Sequence, residues 1–337
     1  MNKRNLKNTE WSILICAILL VIIGLVALYI ASINSDLQAF KKQSIFVLIS
    51  IPILVLVMYL DYDVIAKISP YLYVLSLILL IAVLFTGAIN GATSWFDIGF
   101  FAFQPAELSK AFVIIVVSKT IVSIQKKSKN EIHKIPKLGI VLGIVGLPVF
   151  LIAIQPDFGS ALAYLVSLIL ILYVAGINKK YIIISFLILI ITIPLMYFYI
   201  LPAHAKSRID VFLNPELDPR GAGYNIIQSK IAIGAGKLFG MGYIKGTQTH
   251  LGFLYPKTTD FIYPMIGEEF GFIACSLIIV IYVILITKAI TVAKTARDDL
   301  GSYIAIGTVR STFISYCRKH RNDNRITSNY GNTTSVY

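Results

Sequence analysis

The stretch WSILICAILLVIIGLVALYIAS, residues 11–32, contains no charged residue and is long enough to cross a bilayer as one helix. The hydrocarbon of the bilayer cannot form hydrogen bonds with backbone N–H and C=O groups, and a helix pairs these groups with each other. An apolar run of this length therefore predicts a transmembrane helix. The run is too long for the apolar core of a cleaved signal peptide, and no small-residue cleavage pattern follows it. We therefore expect it to be the first membrane span.

Further apolar stretches of the same kind follow along the chain. They cover residues 44–60, 68–85, 106–124, 138–154, 160–177, 181–201 and 266–286. A ninth stretch begins near Ser302 and then stops. Apolar residues make up 57% of the chain and charged residues 14%, which lies outside the composition of ordinary soluble domains. The sequence therefore predicts an all-α polytopic membrane protein with transmembrane helices at these eight stretches and an aborted ninth.

Basic residues set the expected orientation, because cytoplasmic loops carry an excess of lysine and arginine. Such residues precede the first span, and a lysine run at 126–137 lies between the fourth and fifth spans. Placing both in the cytoplasm leaves the loop with Lys41 and Lys42 outside, against the trend, together with three longer or more polar segments at residues 87–104, 155–157 and about 202–260. We expect the functional residues of this plasma-membrane protein in those extracytoplasmic segments.

Charge and cysteine content exclude other classes of protein. The formal net charge of +13 is explained by basic loops beside anionic headgroups, so we expect no nucleic-acid partner. Cys16, Cys275 and Cys317 are too few and too scattered for a disulfide framework or a CxxC metal site. We interpret the cysteines as packing residues.

The segment at about 202–260 is too long to be a simple connector. It mixes glycine-rich turns with aromatic and apolar residues, a composition that argues against disorder. The sequence therefore predicts a folded, partly membrane-dipping cap. No internal repeat is visible in the chain.

Ionisable residues at membrane depth are costly and point to function by default. Glu107 and Lys110 share one face of the fourth predicted helix, because they are three residues apart. One interpretation is an ion pair that neutralises itself. The other is a cation held at a pocket to receive a phosphate.

Acidic residues also stand immediately before predicted helices. Asp157 and Asp260 can each act as an N-cap, accepting hydrogen bonds from backbone amides, or can serve chemistry. Glu268 and Glu269 are expected at the start of the eighth helix, where acids favour the positive end of the helix dipole. The segment around Asp260 also offers cations: Arg208, Arg220, Lys230, Lys237, Lys245 and Lys257. A carboxylate base and an anion-binding surface can therefore meet outside the membrane.

Several strings at these positions resemble the SEDS family (shape, elongation, division and sporulation), which includes RodA, FtsW and SpoVE. The strings are GATSWFDIG at 91–99, FQPAELSK at 103–110, QPDFGS at 155–160, GTQ at 246–248 and TDFI at 259–262. The resemblance extends from about residue 11 to residue 306 and is closest to the RodA branch. It implies a fold with ten spans.

The resemblance implies a peptidoglycan glycosyltransferase that polymerises lipid II into glycan strands for cell elongation and rod shape. Asp260 matches the family's catalytic aspartate, and a carboxylate suits the removal of a proton from an attacking sugar hydroxyl. Candidates for binding the substrate and its diphosphate are Trp95, Glu107, Lys110, Asp157, Arg208 and Gln228. This scheme requires no metal or other cofactor. The implied partner is a class B penicillin-binding protein, a transpeptidase.

Two other functions fit the same features. A lipid II flippase would also use charges and a cavity within the membrane, although transporters are often built from repeats. A scaffold for a penicillin-binding protein would need no chemistry.

The sequence also departs from the family pattern, because Ser94 replaces the usual arginine before the tryptophan and Thr258 replaces a frequent histidine.

The chain loses its apolar character after about Thr308, and the residues at 310–325 are too basic for a membrane helix. A cytoplasmic tail is one interpretation. The other is that residues 309–337 are out of frame behind a membrane domain at 1–308, because codons exist that encode both this tail and a family-like segment. Such a product would lack two spans and could be inactive.

We predict that the gene encodes an intact family-like segment in the overlapping frame downstream of residue 309. Sequencing the gene past its stop codon tests this. A second frame without such a segment would contradict the frameshift.

Overall fold

The computed structural model describes residues 10–33, 36–86, 93–97, 102–200, 203–221, 223–254 and 258–309. The proposed out-of-frame tail lies almost wholly outside these residues. The longer helices are α1 Trp11–Ala31, α2 Gln38–Tyr59, α3 Tyr62–Ala82, α4 Pro105–Gln125, α5 Ile135–Ile154, α6 Phe158–Val174 and α7 Lys179–Leu195. Then come α8 Ala203–Leu213, α9 Tyr224–Ala235, the short α10 Thr247–His250, α11 Ile262–Thr295 and a helix at 299–309, α12.

Each predicted span coincides with one of these helices, so the all-α prediction is confirmed. Among the residues that the structure describes, five helices are long and apolar enough to cross a membrane, namely α1, α2, α5, α11 and the run Tyr62–Phe85 that contains α3. The helix α6 is apolar but shorter. No residue of α2 is buried, and its Leu48 and Leu56 side chains are 66% and 60% exposed. Such a surface is suited to lipid.

A short hairpin precedes α4, and the sequence analysis did not anticipate it. Strand β1, Phe96–Asp97, pairs antiparallel with β2, Ala102–Phe103, with Phe96 opposite Phe103. Because Gln104 follows β2 directly and Pro105 opens α4, the hairpin sets the start of that helix.

The described chain divides into two compact units. The first comprises the residues up to Leu56 and those from Ile191 to Ile286. Its core holds Ala27 and Ile30 of α1, Ala232 of α9, and Met265 and Ile266 of α11. Leu254 and Phe261 are each 1% exposed in the same core. The predicted folded character of the segment at 202–260 is confirmed by helices α8, α9 and α10.

The second unit comprises Val57 to Ile190 and the described residues from Thr287 to Val309. Its core joins α3, α4, α5, α6 and α12. A Cβ atom on Gly307 would lie 2.7 Å from Ile114 Cγ2, so α12 packs closely on α4. Tyr303 donates a hydrogen bond of 2.7 Å to Gln125, whose amide donates to Ala175 O at 2.8 Å. These bonds join α12 to the C-terminal ends of α4 and α6.

The connection between α4 and α5 carries a small charge cluster. Two hydrogen bonds lower the pKa of the Glu131 carboxyl to about 2: the bond from Lys134, which has the larger effect, and the bond from Lys137. The carboxylate therefore stays ionised at neutral pH and offsets part of the positive charge of this lysine-rich connection.

Helix α11 is broken at Gly271, whose φ is 79° and ψ is −173°. The backbone groups released by the break bond to residues 237–242: Met241 N donates to Glu268 O at 2.8 Å and Gly242 N to Glu269 O at 3.1 Å. In return, Phe272 N donates to Lys237 O and Ile273 N to Leu238 O. We call residues 236–250 the glycine segment.

The break corrects the expectation for Glu268 and Glu269. These residues do not lie at the start of the helix, because α11 begins at Ile262. They lie just before Gly271, where the backbone dipole disfavours acids. Their stabilisation must come from elsewhere in the structure.

We predict that Gly240→Ala destabilises the protein more than Gly252→Ala. Both glycines have positive φ, 86° and 83°, so alanine costs about 1–2 kcal/mol at either position. A Cβ at Gly240 would additionally lie 2.1 Å from Glu269 O, whereas one at Gly252 meets nothing within 4 Å. Thermal unfolding in detergent measures the difference, and equal losses for the two variants would contradict it.

Candidate functional site

The predicted pair of Glu107 and Lys110 is present on α4. Lys110 Nζ lies 2.9 Å from Glu107 Oε2 and 3.1 Å from Oε1. The lysine side chain is 2% exposed and that of Glu107 is 45% exposed, so the cation lies behind its carboxylate. Lys110 also lines a small cavity between α4 and α6 with Tyr164 and Ser167. The pair therefore presents its negative end outward in this structure.

Asp157 is the N-cap of α6, as predicted. Its Oδ1 accepts a hydrogen bond from Ser160 N at 3.1 Å, and its Oδ2 accepts from Ser160 Oγ at 2.7 Å. Gln104 Nε2 donates to the same Oδ2 at 2.6 Å. The buried carboxylate thus joins the first turn of α6 to the start of α4, the helix that carries Glu107 and Lys110.

Other polar residues complete this contact, and of these the sequence analysis did not single out Tyr164. Tyr164 Oη donates to Ala106 O at 2.7 Å, and Gln155 Nε2 donates to Leu80 O at 2.9 Å. Ser94 is 1% exposed and its Oγ donates to Gln155 O at 3.2 Å. The serine that departs from the family pattern is therefore a buried hydroxyl. The side chain of the neighbouring Trp95 is 37% exposed.

The remaining predicted site residues belong to the first unit. Asp260 is partly buried in a turn at 258–261, directly before Phe261 and α11. Gln228 is partly buried on α9. Arg208 lies on α8, and its side chain is outside the described part of the structure. The structure thus groups Glu107, Lys110 and Asp157 with Trp95 in the second unit, and Asp260 with Gln228 and Arg208 in the first.

Glu268 and Glu269 form a buried acidic pair, 0% and 1% exposed. Glu268 accepts hydrogen bonds from Gln248 N at 2.7 Å, Thr249 N at 2.9 Å and Thr249 Oγ1 at 2.5 Å. Glu269 Oε1 accepts from Gly246 N at 3.3 Å and lies 2.8 Å from His250 Nε2. Donors from the glycine segment, rather than a helix dipole, therefore stabilise the pair.

His250 was missed in the sequence, although its place in the string GTQTH was visible. Nothing in a single sequence pairs it with a glutamate nineteen residues later. Among the described residues, no group of three or more histidine, cysteine or acidic side chains is placed to hold a metal ion.

A family model described as a cell cycle protein, for FtsW, RodA and SpoVE, matches residues 10–318. Peptidoglycan glycosyltransferase MrdB of Escherichia coli (strain K12) is 36% identical over 250 residues, which are 73% of this chain and 65% of the relative. Stage V sporulation protein E of Bacillus subtilis (strain 168) is 32% identical over 309 residues, 88% of this chain and 82% of the relative. The chain thus matches 65% of the length of MrdB.

Solved structures show the same fold. A chain from the structure described as "Structural coordination of polymerization and crosslinking by a peptidoglycan synthase complex" has a TM-score of 0.76 and 21% identity, covering 94% of this chain and 88% of that one. The rod shape determining protein RodA of Thermus thermophilus has a TM-score of 0.66 and 20% identity, covering 92% and 83%.

We predict that Glu107→Gln destabilises the protein more than Lys110→Met. The first variant leaves a buried cation without its carboxylate, which costs about 1–3 kcal/mol. The second leaves a carboxylate that is 45% exposed and can be hydrated, at a cost below about 1 kcal/mol. Thermal unfolding of the two variants in detergent gives the order, and a larger loss for Lys110→Met would contradict it.

Proposed function

We propose, from the premise that the chain belongs to the FtsW/RodA/SpoVE family of cell cycle proteins, that it polymerises lipid II with Asp260 as the general base. The observation that carries this proposal is the placement of Asp260 in a turn beside the buried Phe261. A base must be held steadily near its proton, and a partly buried carboxylate can be both positioned and reactive. The names of MrdB and of the FtsW relatives as peptidoglycan glycosyltransferases support it.

The reaction joins two lipid-linked sugars. A sugar hydroxyl oxygen of one lipid II forms a bond to the anomeric carbon of the other, while the bond from that carbon to the diphosphate oxygen breaks. The hydroxyl proton passes to the Asp260 carboxylate, and the electron pair of the broken bond leaves with undecaprenyl diphosphate. The chain has to supply a base on one side and positive potential on the other.

Lys110 and Arg208 are the cations that we assign to the diphosphate. Since Lys110 lies behind Glu107, a phosphate meets the carboxylate first unless Glu107 moves aside. Glu107 therefore neutralises and holds Lys110 in this structure. The ring of Trp95 is 37% exposed and can stack on a sugar or lie at the level of the lipid headgroups. The side-chain amide of Gln228 can form hydrogen bonds with the substrate.

Asp157 contributes to this scheme by positioning other residues. Its carboxylate is buried and accepts hydrogen bonds from Gln104 and Ser160, so it holds the start of α4. It therefore orients Glu107 and Lys110 for the substrate.

The N-terminus is assigned to the cytoplasm and the segment at 202–260, with Asp260, to the extracytoplasmic side.

A class B penicillin-binding protein is the partner that we assign. Its transpeptidase activity would crosslink the strands that this chain makes. The likeness of the fold to a chain of a peptidoglycan synthase complex is consistent with such an assembly.

We predict that Asp260→Asn lowers the rate of lipid II polymerisation at least about 100-fold, because asparagine cannot accept the proton. The matched control is Glu216→Gln, the same loss of charge at an exposed site in the same segment. The assay follows glycan strands made by the purified chain with its transpeptidase partner.

Equal synthesis by the Asp260 variant and the unmodified chain would remove Asp260 from the mechanism. Transfer of lipid II across vesicle membranes without any strand formation would instead favour a flippase.

A further inference from the structure

Both carboxylate oxygens of Glu268 are used by the glycine segment. Oε1 accepts from Gln248 N, and Oε2 accepts from Thr249 N and from the Thr249 hydroxyl. All three partners are donors, so this site requires two acceptor oxygens. An amide in place of the carboxylate would turn one acceptor into a donor facing another donor.

Glu269 differs although it is the next residue and equally buried. Its Oε1 accepts from Gly246 N and contacts His250, whereas its Oε2 has no hydrogen-bond partner in the described structure. An amide nitrogen can therefore replace Oε2 without meeting a donor. Replacement by glutamine is therefore expected to disrupt the hydrogen bonds of Glu268 and to preserve those of Glu269.

The glycine segment and the turn that carries Asp260 are linked through one shared core. Leu254 N donates to Gln248 O at 3.0 Å, so the residue held by Glu268 also fixes Leu254. Leu254 and Phe261 are buried in one core with Met265, and Asp260 lies between them in the chain. Phe261, the last residue of the turn, therefore packs in the same core as Leu254, which Gln248 fixes.

We propose that Glu268 is a positioning residue for the turn at 258–261, acting through Gln248, Thr249 and Leu254. Its designation as a positioning residue for catalysis rests on the proposed role of Asp260 as the base. Glu269 supports the same segment through one oxygen and His250. A carboxylate is required at Glu268 and only an acceptor oxygen at Glu269.

Hydrogen exchange of the full chain in detergent tests the structural part of this proposal. Glu268→Gln should raise the exchange rates of the backbone amides at 247–254 and 258–261 about tenfold or more. Glu269→Gln, the matched control with the same loss of charge one residue away, should leave them within about twofold of the unmodified chain. Equal rates at 258–261 in the two variants would overturn the proposal.

Lipid II polymerisation tests the catalytic part. Glu268→Gln should lower kcat about tenfold or more with little change in KM, because the base is displaced while the other substrate contacts remain. Glu269→Gln should keep both constants within about twofold. A rise in KM alone for Glu268→Gln would overturn the positioning role.

The two assays separate this inference from the proposed function. If the unmodified chain made no glycan, the proposed function would fail, while the exchange rates would still decide whether Glu268 holds the turn. Should Glu268→Gln not fold, Thr249→Val removes the hydroxyl donor alone. It should raise exchange at 258–261 in the same direction, and unchanged rates there would count against the proposal.

Discussion

A helix broken within an apolar run releases backbone amides and carbonyls that water cannot reach, and at Gly271 the glycine segment accepts and donates the required bonds. Two carbonyls before the break and two amides after it are paired with residues 237–242. This close backbone contact requires glycine at Gly240 and Gly271, where a Cβ would lie 2.1 Å from Glu269 O and 2.3 Å from Gly240 N. The fold of the first unit depends on this contact, because it brings the glycine segment against Glu268 and Glu269.

The second unit satisfies its buried polar groups with side chains instead. Asp157, Gln104 and Ser160 join α4 to α6, and Tyr164 binds a carbonyl in the first turn of α4. These bonds leave Lys110 buried with Glu107 as its partner. In both units, therefore, buried hydrogen bonds between separate segments hold the residues that we assign to catalysis or to the substrate.

The sequence was sufficient wherever the physical signal was local. Apolar runs predicted the spans, the spacing of Glu107 and Lys110 predicted their pair, and the position of Asp157 before an apolar run predicted its cap. It failed for Glu268 and Glu269, because α11 begins at Ile262 and the apolar pattern continues across the break. The contact of His250 with Glu269 is tertiary, so no spacing rule could have found it.

The position of the acceptor sugar relative to Asp260 tests the account's central claim most directly. An experimental structure of the chain with lipid II bound at both sugar positions would measure it. The account predicts the attacking hydroxyl oxygen within about 3 Å of an Asp260 carboxylate oxygen. A hydroxyl held by a different acidic residue, with Asp260 turned away from both sugars, would contradict it.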